Sequence, residues 1–419
     1  MAKFQALHQS IKIRLLLQFA TILASTTIMP FIAIYFTSLV GAKITGLLVV
    51  IVILAGITGG FLGGFWSDQI GRKKLLVLAE LGLGISFLAI AFVNSAWAVL
   101  PYVSFVLFII NMFCNGIYIP VSTSMIHDLV KKEERNFVFT AVYWIGNLGS
   151  ALGSITGAFL FEDYHFYLFL SVAGITMLAS LITYLFIGET FIKPAEYEST
   201  TSPTIWANYK KVFQDHTYII FLIATLCVVS LESHLTNYIA VHLEKNVEET
   251  SLFGLFTIDG INLVGVLHAE NTLLVVVAVG IVSSMVKNLS DHTRMLFGMS
   301  LYVCCYAALS FAAMPIVLLG LMVFISIGEL MYIPVKQSLL AELAVDSRRS
   351  SYLALHSFMG QGTMIIAGAA ITLGSIIPPA VMSSTFLAIG LIGVSLMAFV
   401  IRRVQQSHGT TGILSKDIE

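Results

Sequence analysis

Gly63-Gly64-Phe65-Trp66-Ser67-Asp68-Gln69-Ile70-Gly71-Arg72-Lys73-Lys74 places an acid, a glycine turn and three adjacent cations between two runs that are otherwise almost wholly apolar. A basic loop this short between two bilayer-length segments marks a cytoplasmic turn, because Lys and Arg are retained on the side where the chain is made. It also forces a helical hairpin. The glycines ahead of Asp68 allow close approach of two helix backbones, and Gly71 permits the backbone conformation of a tight reversal.

The rest of the chain agrees with a membrane protein of many spans. Hydrophobic residues make up 58% of the 419, only 11% are charged, and the mean hydropathy is +0.92. A soluble fold averages about a quarter charged residues. The net charge of -1 and the lack of any basic face outside short loops exclude nucleic acid as a partner. Cys114, Cys227, Cys304 and Cys305 all lie in apolar runs with neither metal-ligand nor disulfide-framework spacing, and read as buried thiols. No metal and no cofactor is expected. The basic N-terminus (Lys3, Lys12, Arg14) leads into an apolar stretch from Leu15 to Val40, too long for a signal peptide, which reads as an uncleaved first span.

Runs of about twenty apolar residues fall near 15–38, 45–66, 75–94, 99–127, 137–160, 167–188, 217–240, 264–286, 295–313, 316–342, 352–376 and 380–401. Twelve spans put both termini on one side. Arg72, Lys73, Lys74, Lys131, Lys132, Arg135, Lys193, Lys210, Lys211, Lys287, Arg294, Arg348, Arg349, Arg402 and Arg403 all fall on that side, against Lys43 and Lys245 on the other. Both termini are therefore expected in the cytoplasm. Residues 246–263 are only weakly patterned, a lateral external helix being one reading of them, and their structure is left open by the sequence.

The polar stretch from 191 to 216 reads as a cytoplasmic linker. It separates an N-terminal bundle (1–190) from a C-terminal bundle (217–402), with a cytoplasmic tail over 403–419. The two halves repeat. Tyr118-Ile119-Pro120-Val121 recurs as Tyr332-Ile333-Pro334-Val335, and the same offset matches Ser124 with Ser338, Asp128 with Glu342, Leu129 with Leu343 and Arg135 with Arg349. Ser290-Asp291 with Arg294 is a worn copy of Ser67-Asp68 with Arg72. The expected fold is an all-α membrane protein, with twelve transmembrane helices in two pseudo-symmetric six-helix bundles around a midplane site, as in parallel-repeat secondary transporters.

Transport needs no covalent step, so the residues to seek are ionisable ones inside the bilayer, which are costly there and tend to face a cavity or each other. Glu80, Glu232, His234, His268, Glu270, Glu329 and Lys336 are the candidates. Glu329, inside the apolar run from Ile316 to Leu330, could load a proton on one face and release it on the other, or stay protonated as a structural donor. Its repeat partner is Asn115. Lys336 lies two helical turns on, about 10 Å along the same face, and either enters the cavity or snorkels to the cytoplasmic interface. Glu232 and His234 with His268 and Glu270 would form a proton-entry cluster if their helices adjoin, or would be merely interfacial. Glu80 is expected to balance Lys73 or Lys74. Tyr118, Tyr143, Trp144, Tyr332 and Phe358 either line an apolar cavity or pack in the core. Gly149, Gly153 and Gly157 have the spacing of a helix-packing face.

On these motifs the chain resembles the major facilitator superfamily, and within it the twelve-span drug:proton antiporters, over essentially its whole length. The segment from Gly64 to Lys73 is similar to that family's loop signature, with Gln69 where a base is usual. Ile126-His127-Asp128, Tyr143-Trp144, Asn147-Leu148 and Gly328-Glu329 with Tyr332 and Pro334 are similar as well. The resemblance implies a gating network at Gly64, Asp68, Gly71, Arg72, Lys73 and Asp128 that sets the balance between outward-open and inward-open states. It also implies a cavity reached by Asn115, Tyr118, Tyr143, Trp144, Tyr332 and Lys336. Three departures stand out. In the fifth-span antiporter signature Ser154 replaces the proline and Ala158 the last glycine, Asn111-Met112 stand near the usual fourth-span arginine, and Val142 stands where a lactococcal member carries an acid.

The function this implies is proton-coupled export of lipophilic drugs or related amphiphiles by a monomer in the plasma membrane of a bacterium. A peptide or zwitterionic-metabolite transporter is the alternative, since Gly328-Glu329-Leu330 resembles the tenth span of oligopeptide symporters, whose first-span signature is missing here. An enzyme is not expected: His127-Asp128 is the one adjacent pair suited to catalysis and belongs to a loop already explained. Two pseudo-symmetric bundles imply rocking access and not a passive channel. No phosphate-binding Gly-Lys-Ser/Thr motif is present, which excludes ATP as the driving force.

Overall fold

The computed structural model describes residues 7–131, 134–190, 210–252, 256–344 and 349–414, so most of the 191–216 segment lies outside the described residues. The described residues are helical nearly throughout. Helix α1 (Gln9–Thr26) passes through a 3-10 turn (Met29–Phe31) into α2 (Ile32–Val40), and α3 (Ala42–Ile70), α4 (Arg72–Val93) and α5 (Pro101–Leu129) follow. Helix α6 (Arg135–Phe186) bends at Tyr164 (φ -124°, ψ 21°) and so provides two spans. Then come α7 (His216–Ser233), α8 (Tyr238–Asn246), α9 (Gly260–Val286), α10 (Asp291–Leu309), α11 (Pro315–Leu343), α12 (Arg349–Gly374) and α13 (Pro379–Leu414). Pairing α1 with α2 and α7 with α8 as interrupted spans gives the twelve expected membrane crossings.

The repeat governs helix ends as well as motifs. Helices α5 and α11 both have 29 residues, both begin on a proline (Pro101, Pro315), and both carry an internal proline (Pro120, Pro334) at the duplicated motif. Proline suits the first turn because its missing N–H would have no helical partner there. At about 1.5 Å per residue such a helix is about 43 Å long, enough to cross a bilayer with its headgroups. Helices α6 and α12 likewise begin at the matched Arg135 and Arg349.

The chain packs as two compact units, one holding 1–197, 236–276 and 368–375, the other 198–235, 277–367 and 376–419. In the first, α3 packs along α5, α4 on α5 and α6, and α1 on α6. The glycine ladder is a packing face: Gly149, Gly153 and Gly157 sit against the α1 segment from Phe19 to Thr27, where an added Cβ would run into backbone and Thr26. In the second unit α10 packs on α11 and α13, and α13 on α7.

Residues 246–263 do not form a lateral helix: the short α8 ends at Asn246 and a β-hairpin follows, strand Thr250–Leu252 pairing with Phe256–Ile258. The period that would give such a helix an apolar face is missing there, and β-branched Thr250, Thr257 and Ile258 favour the strand.

Candidate functional site

Among the described residues, polar and charged groups that a lipid-facing helix would not tolerate gather in both units. The second unit holds one such group around α11. Helix α11 projects Glu329, Tyr332 and Lys336 from neighbouring turns of one face, and α10 projects Tyr302 and Tyr306 one turn apart. The three tyrosines are buried, with ring centroids 4.8 Å apart for Tyr302 and Tyr306 and 5.4 Å for Tyr302 and Tyr332. The Lys336 Nζ lies 5.6 Å from the Tyr332 centroid, a cation–π distance. Lys336 therefore does not simply snorkel. The charges of Glu232, from the last turn of α7, and of Glu329 both act on it, and its own charge acts on His356 of α12. The Glu232 side chain is exposed at the end of its helix. His234, two residues on, is buried with its ring stacked 4.2 Å from Phe386.

In the first unit, Gly71 holds φ +99° and ends α3 where α4 begins. The Arg72 guanidinium pairs with Asp128 and donates to the Ser124 carbonyl at 3.0 Å. The Asp68 side chain lies outside the described residues. Glu189, after the last turn of α6, contributes what the sequence reading missed: its carboxylate accepts the backbone N–H of Arg72 at 3.0 Å, of Lys73 at 3.1 Å and of Thr190 at 2.9 Å. A carboxylate on the orphan N–H groups of a helix start both caps it and complements its dipole. The signal was an acid just past an apolar run with no other assignment. Substituting Gly71 by alanine should destabilise the protein by roughly 1–3 kcal/mol for backbone strain, because the new Cβ would also stand 2.6 Å from Glu189 Oε2. Thermal unfolding of the purified protein reads this as a lowered Tm. The loss should shrink in a Glu189→Ala background, and equal losses in both backgrounds would contradict the clasp.

Deeper in the same unit, Arg14 is wholly buried and forms an ion pair with Glu80 at 2.8 Å. It also donates to Ser122 Oγ at 2.5 Å and Thr183 Oγ1 at 3.4 Å, and lies 5.9 Å from the Tyr118 ring centroid. Glu80 thus answers Arg14 and not Lys73 or Lys74; Lys73 instead rests over the Tyr184 ring. Asn115 is half-buried, and Tyr143 and Trp144 are 54% and 50% exposed on α6.

At the opposite end of this unit from the Asp68–Lys74 loop, Ser154 Oγ and His268 Nδ1 are 2.8 Å apart. Asn262 donates to the Ala158 carbonyl at 2.6 Å and Thr372 Oγ1 to the Lys43 carbonyl at 3.0 Å. Gly265 fits closely against Ser154, Ala158 and Phe31. The serine and alanine that depart from the fifth-span signature are therefore the residues that meet α9. Glu270 lies half-buried on the same helix as His268.

The model of the Major Facilitator Superfamily matches residues 14–369. The chain is 28% identical over 373 residues to a "Na(+), Li(+), K(+)/H(+) antiporter" of Planococcus maritimus, covering 85% of this chain and 87% of that one. It is 25% identical over 333 residues to the "Multi-drug resistance efflux pump PmrA homolog" of Lactococcus lactis, covering 76% of each. Among solved structures, the nucleoside transporter NupG superposes with a TM-score of 0.71 at 13% identity, over 93% of this chain and 99% of that one. A peptide transporter POT in complex with sulfate superposes at 0.73 with 14% identity, over 95% and 94%.

Proposed function

The chain belongs to the Major Facilitator Superfamily, and from that premise we propose that this membrane transporter is a proton-coupled secondary exporter of lipophilic drugs or related amphiphiles. It works by alternating access, as a monomer in a bacterial plasma membrane with both termini cytoplasmic. The six spans of residues 1–190 and the six of 217–402 are the two moving bodies. The observation that carries this reading is the gathering of Glu329, Glu232 and Lys336 beside buried tyrosines within membrane-spanning helices. Lone intramembrane charges are costly, and when grouped around a wet cavity they mark ion or substrate pathways. Glu329 is the proton carrier, with Glu232, His234, His268 and Glu270 as further candidates. Asp68, Arg72 and Asp128 bias one state, and the Ser154–His268, Asn262–Ala158 and Thr372–Lys43 contacts close the other face.

A second reading, exchange of alkali cations for protons, is supported by the similarity to the Planococcus antiporter over most of both chains. Proteoliposomes with an imposed pH gradient separate the two. Export of an amphiphilic dye against its gradient, with proton entry, is the expected result. Proton movement only on addition of sodium or potassium would favour the second reading, and flux indifferent to the pH gradient would defeat both.

A further inference from the structure

The two copies of the loop motif start their helices in different ways. In the second unit the turn is self-contained: Ser290 accepts the Thr293 N–H at 3.2 Å as the cap of α10, and Arg294 pairs with Asp291 inside the same first turn. In the first unit the N-cap of α4 is Gly71, which has no side chain to offer, and the acceptor is Glu189, 117 residues on from Arg72. Its carboxylate spans the first two N–H groups, Arg72 on one oxygen at 3.0 Å and Lys73 on the other at 3.1 Å, and any Cβ at position 71 would crowd it. A local serine or aspartate satisfies such groups equally well, so capping alone does not account for an acid from so far away. Its place in the chain does. Glu189 is exposed and stands two residues past Ile187, which is buried against Leu75 and Leu76 of α4, and it comes just before the polar segment that joins the two six-span halves. The clasped turn is also the root of the Arg72 side chain, whose guanidinium reaches Asp128 and the Ser124 carbonyl on α5. A helix start whose N–H groups lose their acceptor frays, and a frayed first turn no longer holds that side chain in one place.

We propose that Glu189 is a positioning residue for the Arg72–Asp128 pair, and that the linker which follows it acts on the cytoplasmic gate through its carboxylate. This rests on the reading of Arg72 and Asp128 as a gate. Ile187 is fixed in the core, so a displacement of the linker is felt first at the exposed Glu189. Releasing the carboxylate frees the first turn of α4 and loosens Arg72 from Asp128. Movement of one half of the chain in this way weakens a contact that lies wholly within the other half. The second copy of the motif, capped by Ser290 and paired within its own turn, has no such dependence.

The test uses the full-length protein with its native cysteines replaced and spin labels attached at Lys131→Cys and Lys287→Cys, and reads the ratio of short-distance to long-distance populations by pulsed electron resonance. Arg72→Ala should shift this ratio. Glu189→Ala should shift it in the same direction by about fivefold or more, the scale of one hydrogen bond to a charged group, and should add nothing in the Arg72→Ala background, as expected of two residues that act in series. Glu189→Gln, which keeps one acceptor oxygen, should shift it less, and takes the place of the alanine variant in the same cycle if that variant does not fold. Lengthening the linker by about eight Gly and Ser residues after Ser202, a flexible insertion, should move the ratio in the wild type and leave it unmoved in Glu189→Ala. A lowered Tm with an unchanged ratio in Glu189→Ala would reduce Glu189 to a helix cap and overturn the proposal. Equal shifts in both Arg72 backgrounds, or an insertion felt equally or not at all in both Glu189 backgrounds, would overturn it as well while leaving the gate in place. No shift with Arg72→Ala would overturn the gate itself and the role of Glu189 with it.

Discussion

Glu329→Gln should reduce pH-gradient-driven transport in proteoliposomes to the level of protein-free vesicles. The amide has the volume and much of the hydrogen-bonding capacity of the protonated acid, so the variant mimics the loaded site and cannot discharge. Membrane insertion and monodispersity should survive, since the change removes the cost of a buried charge. Exchange of substrate at equal pH should persist because it requires no net proton movement. Glu329 sits one turn from Tyr332, itself against Tyr302, so a loss confined to the coupled mode would separate proton carriage from packing. Full gradient-driven transport by the variant would move the coupling carboxyl to Glu232, or to Glu270 with His268 and His234.

The largest stability effect is expected at Arg14. Arg14→Met leaves Glu80 buried without its cation, and breaking a buried pair from one side costs about 3–5 kcal/mol. Ser122 and Thr183 also lose their donor. The yield of folded protein and its Tm should both collapse. Arg14→Met with Glu80→Leu should recover most of the loss, because an apolar pair of similar volume no longer carries an orphaned charge. A single variant as stable as the wild type would mean that the pair contributes nothing to the fold; a double variant as unstable as the single would assign the cost to lost hydrogen bonds.

The repeat, the basic loop and the spans were legible because they depend on local composition: a bilayer imposes its length on each helix, and the duplicated Tyr-Ile-Pro-Val motif needs no tertiary information. Arg14 was not. Beside Lys3 and Lys12 it reads as one more topogenic cation, and its acid lies 66 residues away. Glu80, alone in an apolar run, did require a cation somewhere, but two nearer lysines answered the same demand on paper. Lys336 was undecided for a related reason: sequence fixes the face of a helix but not what stands opposite, and here that is a set of tyrosines and an acid from other spans. The 246–263 segment failed as a helix because a short external connection is shaped by turn and strand preferences that hydropathy does not weigh.

The bend at Tyr164 bears on how the chain enters the membrane. Helix α6 carries two crossings on 52 residues, and no lysine or arginine occurs between Arg135 and Lys193. Only Glu162, Asp163 and His165 mark the reversal, and acids contribute little to orientation. Neither crossing has its own topological anchor at the bend, so the fifth and sixth spans must partition into lipid together, as one hairpin pinned at its two distant feet. A lysine pair introduced at Glu162 and Asp163 would compete with those feet for the retained side, which makes this short bend the point where the biogenesis of the first bundle is most open to error.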